Sequence, residues 1–173
     1  DGVRMYEALA VSTKPIQMQE CIEAVLSWKI KNGSDDALEP LRLRYGHLGG
    51  YSVNDIYWTK TELLDQIKDF SNPAADLARM QSEREEAGKR VAEVFATLSD
   101  NSLLLKIARV IHEYIYLRTE RIDRYKWCLM NAAPFYRELE RRFGLKKGWI
   151  ANFSEQEMYR ALDTGALPEM KDL

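Results

Sequence analysis

The feature that most constrains the fold is a stretch of about 42 residues, from 102 to 143, with apolar side chains at every third or fourth position. Asn101 precedes it, and Asn is a favoured residue at a helix N-terminus. Gly144 follows it and accepts the left-handed conformation that ends many helices. Pro134 should kink this helix without ending it. The sequence therefore predicts one very long helix.

A second long helix, of about 25 residues, is predicted to start at Asn72-Pro73, an N-cap followed by proline in the first turn. Two shorter helices are predicted to start at capping boxes, one from Thr59 to Glu62 and one from Ser154 to Glu157. Nearer the N-terminus, Asn32-Gly33 should end a helix, with Gly33 in the left-handed conformation.

These signals predict an all-α fold: a helical bundle built on two long antiparallel helices, with shorter helices packed on their apolar stripes. We expect a single helical domain over 1–167. Short helices and a Gly-rich loop occupy 1–58, a long-helix hairpin 59–148, and a loop and short helix 149–167. Residues 168–173 form a tail.

Composition places the chain among cytoplasmic proteins without nucleic-acid or membrane partners. The net charge is −2, and no apolar run is long enough to span a bilayer. Cys21 and Cys128 each fall in a helical pattern and are expected to be buried, reduced thiols. The first residues lack the pattern of a signal peptide. From the missing initiator Met we expect either a trimmed or excised segment or a processed N-terminus.

Positive charge is concentrated between residues 118 and 147, which hold nine basic and four acidic residues and so favour an anionic partner. Arg118, Arg121 and Arg124 follow one another at every third position. Arg118 also falls within the apolar stripe, where a lone charge is costly to bury. It should bind a phosphate or carboxylate group, or form a salt bridge to a neighbouring helix. A solvated helix face is the alternative for the basic region as a whole.

The Gly-rich loop around His47 is the most evident loop, and functional residues often lie on loops. The chain has neither phosphate-binding glycine motifs nor metal-ligand spacing. His112 lies in the middle of a predicted helix and is interpreted as structural.

Three segments, taken in order, resemble the phosphoenolpyruvate-utilising phosphotransferases, the group of pyruvate phosphate dikinase and phosphoenolpyruvate synthase, especially the rifampin phosphotransferase-like branch. The first is Leu-Arg-Tyr-Gly-His-Leu-Gly-Gly at 43–50, followed by Asp-Ile-Tyr-Trp at 55–58. The second is Leu-Arg-Thr-Glu-Arg at 117–121, with a further arginine-bearing run at 136–139. The third is 149–158, similar to the element before the phosphohistidine domain. The sequence departs from the family pattern at Leu48, Thr119 and Trp149.

The resemblance implies a helical linker and acceptor-binding domain that is not catalytic alone. Its partners would be an ATP-grasp domain and a phosphohistidine domain, in the same or a separate chain, together with a small-molecule acceptor. ATP and Mg²⁺ would bind only to a partner domain, so this chain would hold no cofactor, metal or catalytic residue. The residues expected to face the phosphoryl group or acceptor are Arg118, Arg121 and His47, and the possible acceptor-pocket aromatics are Tyr45, Tyr51, Tyr114 and Tyr125.

Two alternatives stay open. The aromatic residues also fit core packing, because they recur at helical spacing. The alternative for the whole chain is a non-enzymatic helical protein-interaction module.

Overall fold

The computed structural model describes residues 2–52 and 57–167, and every regular element within these ranges is helical, which confirms the all-α class. The α-helices, in chain order, are α1 (Gly2–Leu9), α2 (Gln17–Ile30), α3 (Asp35–Tyr45), α4 (Lys60–Asp65), α5 (Pro73–Thr97), α6 (Ser102–Phe143) and α7 (Glu155–Thr164). Two single-turn 3₁₀-helices, here named the histidine turn and the tryptophan turn, are Gly46–Gly49 and Trp149–Asn152.

Most helix ends lie where the sequence predicts them. Thr59 and Ser154 form capping boxes. Each hydroxyl accepts a hydrogen bond from the backbone amide of the glutamate three residues later, and the carboxylate of that glutamate accepts one from the backbone amide of the capping residue. Gly144 ends α6 with φ of 65°, and Pro134 does not interrupt this helix. One end differs. The left-handed residue after α2 is Asn32, with φ of 49°, because Asn also tolerates this conformation.

The main core lies where α2, α3 and α4 meet, and it excludes solvent from apolar side chains of all three helices. Leu77 and Met80 extend this core onto α5. The largest side chains with almost no exposed surface are Leu26 of α2, Leu38 of α3, and Leu63 and Ile67 in and after α4. Burial of this kind stabilises a domain by about 25 cal/mol for each Å² of apolar surface removed from water.

The two long helices share few contacts, and these lie near their connection. Ala108 of α6 packs with Val91 of α5 and with Leu9, and Phe95 of α5 packs edge-on against His112. Farther along, α5 packs on α2 and α1, whereas α6 packs on the histidine turn. The antiparallel two-helix bundle and the 1–167 domain therefore stay predictions. The 168–173 tail lies outside the described residues.

Part of the apolar stripe of α6 is left uncovered. Shorter helices were expected to cover it, yet Ile111 and Tyr114 are exposed, and Tyr114 is 62% exposed. Ala108, a member of the stripe, is buried, and the buried side of α6 also carries Asp123 and Lys126. Lys126 can be buried because its ammonium donates a hydrogen bond to the carbonyl of Leu48, 3.1 Å away, in the histidine turn.

The two cysteines also differ in exposure. Cys21 is fully buried in the main core, as expected, but Cys128 is exposed on α6. The prediction of a buried thiol at Cys128 is therefore wrong, because helical periodicity does not identify which face of α6 is covered. Within the described residues, no helix combines the length and the apolar content that crossing a membrane requires.

Candidate functional site

A polar cleft of about 270 Å³ opens where the start of α2 and the end of α3 meet the middle of α6, and we call it the histidine cleft. It brings together cations, carboxylates and aromatic rings. The lining residues are Gln17, Glu20, Arg44, Tyr45, His47, Tyr116, Glu120, Arg124 and Trp127.

Local helical geometry places the members of the cleft. Tyr116, Glu120 and Arg124 follow each other at every fourth position of α6 and therefore share one face. Arg44 lies in the last turn of α3, directly before the histidine turn. Gln17 opens α2, so its side chain lies at a helix end.

A chain of hydrogen bonds crosses the floor of the cleft. Nε2 of His47 lies 2.8 Å from Oε1 of Gln17. The Gln17 amide nitrogen donates to the Glu120 carboxylate, 3.4 Å away. Since the Gln17 oxygen can only accept, His47 carries its proton on Nε2. Arg124 completes the chain by donating from Nε to Glu120 at 2.7 Å.

His47 is buried, and its other ring nitrogen, Nδ1, makes no hydrogen bond of normal geometry to any described residue. Burial lowers the pKa of His47, and the nearby charges of Lys126 and Arg124 lower it further. The backbone of Arg44 and the charge of Glu120 act in the opposite direction. The net lowering of its pKa keeps His47 neutral at neutral pH.

The two arginines of the cleft retain donors for a further partner. Arg124 is 71% exposed and donates only through Nε to Glu120, which leaves its terminal amino groups accessible. Arg44 is 67% exposed, and its ion pair with Glu20 is long, at 3.4 Å. Its guanidinium also lies 5.0 Å from the centre of the Tyr45 ring. The long, exposed pair of Arg44 is weak, so an anionic ligand can compete for Arg44, and the terminal amino groups of Arg124 are available without breaking its bond to Glu120.

The structure separates the residues that the sequence predicted as one site. His47 and Tyr45 lie in the histidine cleft, and Tyr45 is buried, which raises its pKa. Tyr51 is exposed, with the Lys126 ammonium 4.0 Å from its ring centre. The remaining four lie on the outer surface of α6, on the side away from the cleft: Arg118, Arg121, Tyr114 and Tyr125.

Arg118 and Arg121 are exposed, and neither forms an ion pair with any described residue. The salt bridge to a neighbouring helix, which was one possible role for Arg118, is therefore not formed within the described ranges. His47 does not share a site with these two arginines. Asp55 and Ile56, which belong to the first family-like segment, lie outside the described residues.

Sequence reasoning missed most of the cleft. The i,i+4 spacing of Glu120 and Arg124 indicates an ion pair on a helix, but not its position over His47. Arg44 belonged to a family-like segment without being singled out. Gln17 carried no signal, because its partners are far along the chain.

Among residues 2–52 and 57–167, no group of three or more His, Cys, Asp or Glu side chains is arranged to hold a metal ion.

Comparison of the chain with models of protein families, with curated proteins and with solved structures gives no match.

Proposed function

We propose that the chain is the helical linker and acceptor-binding domain of a phosphoenolpyruvate-utilising, dikinase-like phosphotransferase and is not catalytic alone. The ordered resemblance of three segments over residues ~40–167 motivates this proposal. ATP and Mg²⁺ bind to an ATP-grasp partner domain, and the phosphoryl group arrives on a phosphohistidine domain. Both partner domains belong to the same or a separate chain.

The observation that carries the proposal is the histidine cleft, where two accessible guanidinium groups lie beside aromatic rings. Phosphoryl transfer depends mainly on positioning and on positive charge around the transferred group. Arg44 and Arg124 are suited to hold an anionic or phosphorylated acceptor, because guanidinium groups bind such oxygens in pairs. Trp127 and Tyr116 supply flat surfaces for the rest of the acceptor.

His47 contributes by position rather than by direct transfer. Its Nε2 is engaged with Gln17, and its Nδ1 is inaccessible. Through Gln17 it orients Glu120, which in turn fixes the guanidinium of Arg124. The prediction that Arg118 and Arg121 also face the incoming phosphoryl group requires a partner domain to approach α6 from its outer side.

Isothermal titration of the chain with inorganic phosphate, pyruvate and phosphoenolpyruvate tests acceptor binding. We expect binding of at least one of these anions, weakened about tenfold or more by Arg124→Ala, because a charge-assisted contact is lost. Arg90→Ala is the matched control, since Arg90 is an exposed arginine of α5 whose ion pair with Glu86 is long, at 4.0 Å. The absence of binding, or equal losses in both variants, would contradict a site in the cleft.

The claim that the chain is not catalytic alone has a separate test. Incubation with ATP and Mg²⁺ should release no phosphate above the buffer rate. Robust hydrolysis by the chain itself would overturn the proposal of a linker domain.

Two finer expectations belong to the same proposal. The long helices α5 and α6 act as the antiparallel frame of a bundle in the assembled enzyme, and the protein works in the cytoplasm on a small-molecule acceptor, without nucleic-acid or membrane partners. The second candidate function is a non-enzymatic helical protein-interaction module. The exposed apolar face of α6 favours it, because large contiguous apolar patches commonly mark interaction sites.

A further inference from the structure

An uncovered apolar strip runs along the outer face of α6 between residues 103 and 125, about 33 Å in length. Its central residues follow the alternating three- and four-residue spacing of a coiled-coil seam, the a and d positions of a heptad repeat. They are Leu104, Ile107, Ile111, Tyr114, Arg118, Arg121 and Tyr125, which we call the α6 strip, and all of them are exposed.

No described part of the chain covers the α6 strip. The histidine turn contacts α6 through Lys126, which is not part of the strip, and α1 and α5 contact α6 at Ala108 and His112. Tyr114 and Tyr125 remain 62% and 59% exposed. Tyrosine and arginine are the residue types most enriched at the energetic centres of protein interfaces, and the strip contains two of each.

Charge along this part of α6 is divided between its two faces. The acidic residues between 103 and 137 are Glu113, Glu120 and Asp123, and all three lie on the inner side. Glu113 pairs with Lys14 and Glu120 with Arg124, while Asp123 is buried. The outer face therefore carries Arg118 and Arg121 in the middle of an apolar surface, with no carboxylate beside them.

This arrangement disfavours a second copy of the chain as the occupant. In a parallel pairing, Arg118 would face its own counterpart, and in an antiparallel pairing centred on the strip it would face the apolar side chain of Ile111. Either pairing buries four cations without an anion, which is strongly unfavourable. A lipid surface is also disfavoured, because membrane-surface helices keep their cations on the polar face and leave the apolar face unbroken.

We propose that the α6 strip binds an amphipathic helix from a partner protein, apolar at its a and d positions except for two central carboxylates that pair with Arg118 and Arg121. Tyr114 and Tyr125 flank the two ion pairs and exclude water from them. Because the strip and the histidine cleft lie on different sides of α6, partner binding does not depend on acceptor binding in the cleft.

Two designed peptides of about 23 residues, the length of the strip, test this inference. Both carry leucine or isoleucine at the a and d positions, and the central pair, three residues apart, is glutamate in one peptide and lysine in the other. Because the pair lies at the peptide's centre, it can face Arg118 and Arg121 in either orientation, with the peptide then lying over about residues 108–131 of α6. By fluorescence anisotropy we expect the glutamate peptide to bind the full chain about tenfold or more tightly than the lysine peptide.

Charge reversal on the protein supplies the decisive comparison. The double variant Arg118→Glu with Arg121→Glu should prefer the lysine peptide, a reversal that loss of folding cannot produce. Lys68→Glu with Lys147→Glu, two exposed residues away from α6, should keep the original preference. Equal affinity for both peptides, or an unchanged preference in the arginine variant, overturns the proposal. Self-association of the free chain in sedimentation, or its capture by phosphatidylserine vesicles, also overturns it.

Discussion

His47 donates a hydrogen bond from Nε2 to Oε1 of Gln17 across 2.8 Å, joining the turn after α3 to the start of α2. The bond fixes the tautomer of a buried, neutral imidazole. It also transmits the position of the histidine turn to Glu120 on α6, through the amide of Gln17. One polar chain therefore both holds α6 on the small helices and builds the histidine cleft.

The lowered pKa of His47 makes stability depend on pH. Below the ordinary value of 6.5 the unfolded chain takes up a proton that the folded chain resists, so stability should fall as pH falls from about 6.5 toward the folded-state pKa. A single site contributes at most about 1.4 kcal/mol per pH unit. Urea unfolding of the wild type and His47→Gln from about pH 5 to about pH 8 isolates the contribution of His47 to the pH dependence of the free energy of unfolding. A difference between the two proteins that does not change with pH would contradict it.

Glu140 should hold the tryptophan turn onto the end of α6. Its buried carboxylate accepts hydrogen bonds from the amides of Gly148, at 2.6 Å, and Ile150, at 3.3 Å. We expect Glu140→Ala to lower the free energy of unfolding by about 2 kcal/mol and to speed hydrogen exchange at both amides. Glu140→Gln keeps one acceptor and should cost less. The control is Glu138→Ala, whose exposed ion pairs with Arg141 and Arg142 should be worth less than about 1 kcal/mol.

Replacement of two glycines by alanine should change the stability of the protein in opposite directions. A Cβ at Gly49 would overlap the ring of Trp58, so Gly49→Ala should destabilise the protein by about 1–3 kcal/mol and alter Trp58 fluorescence. A Cβ at Gly88, inside α5, meets nothing within 4 Å. Gly88→Ala should therefore stabilise the protein by about 0.5–1 kcal/mol. Thermal unfolding of both variants measures the contrast, and a stabilised Gly49→Ala protein would show that this contact is not formed.

Only one cysteine should react in the folded protein. Burial raises the pKa of Cys21 to about 12, so its thiolate fraction near pH 8 is about one in 10⁴. Cys128 is exposed and should react rapidly with Ellman's reagent. Denaturant should release the second thiol, and Cys128→Ser should remove the fast phase. Two fast thiols in the native protein would mean that the core around Cys21 opens readily.

Helix ends could be predicted from the sequence because they depend on local chemistry. Asn72-Pro73, the boxes at Thr59 and Ser154, and Gly144 each act within a few residues of the chain. The covered face of α6 could not be predicted, because periodicity identifies an apolar side without identifying its neighbour. One such neighbour is the histidine turn, where the carbonyl of Leu48 accepts a hydrogen bond from Lys126.

The candidate site could be predicted only in part, for the same reason. His47 attracted attention as the histidine of a Gly-rich loop, and it does line a cleft. The cleft as a whole depends on Gln17 and Glu120, which lie 103 positions apart in the sequence. Arg118, Arg121 and Arg124 are spaced by three residues, which suggested a common site. Because an α-helix has 3.6 residues per turn, each step of three residues moves the side chain around the helix axis. Arg124 therefore faces the cleft, whereas Arg118 and Arg121 do not.

The most direct test of the account is a nuclear magnetic resonance titration of the chain with phosphoenolpyruvate, in which the indole N–H signal of Trp127 is followed. We predict that saturation shifts this signal together with the backbone amides of Tyr45 and His47, because all three line the histidine cleft. The indole of Trp149, which lies outside the cleft beside Lys146, should not move. Shifts confined to Trp149 or to the α6 strip, or no shift at any concentration, would contradict an acceptor site in the cleft.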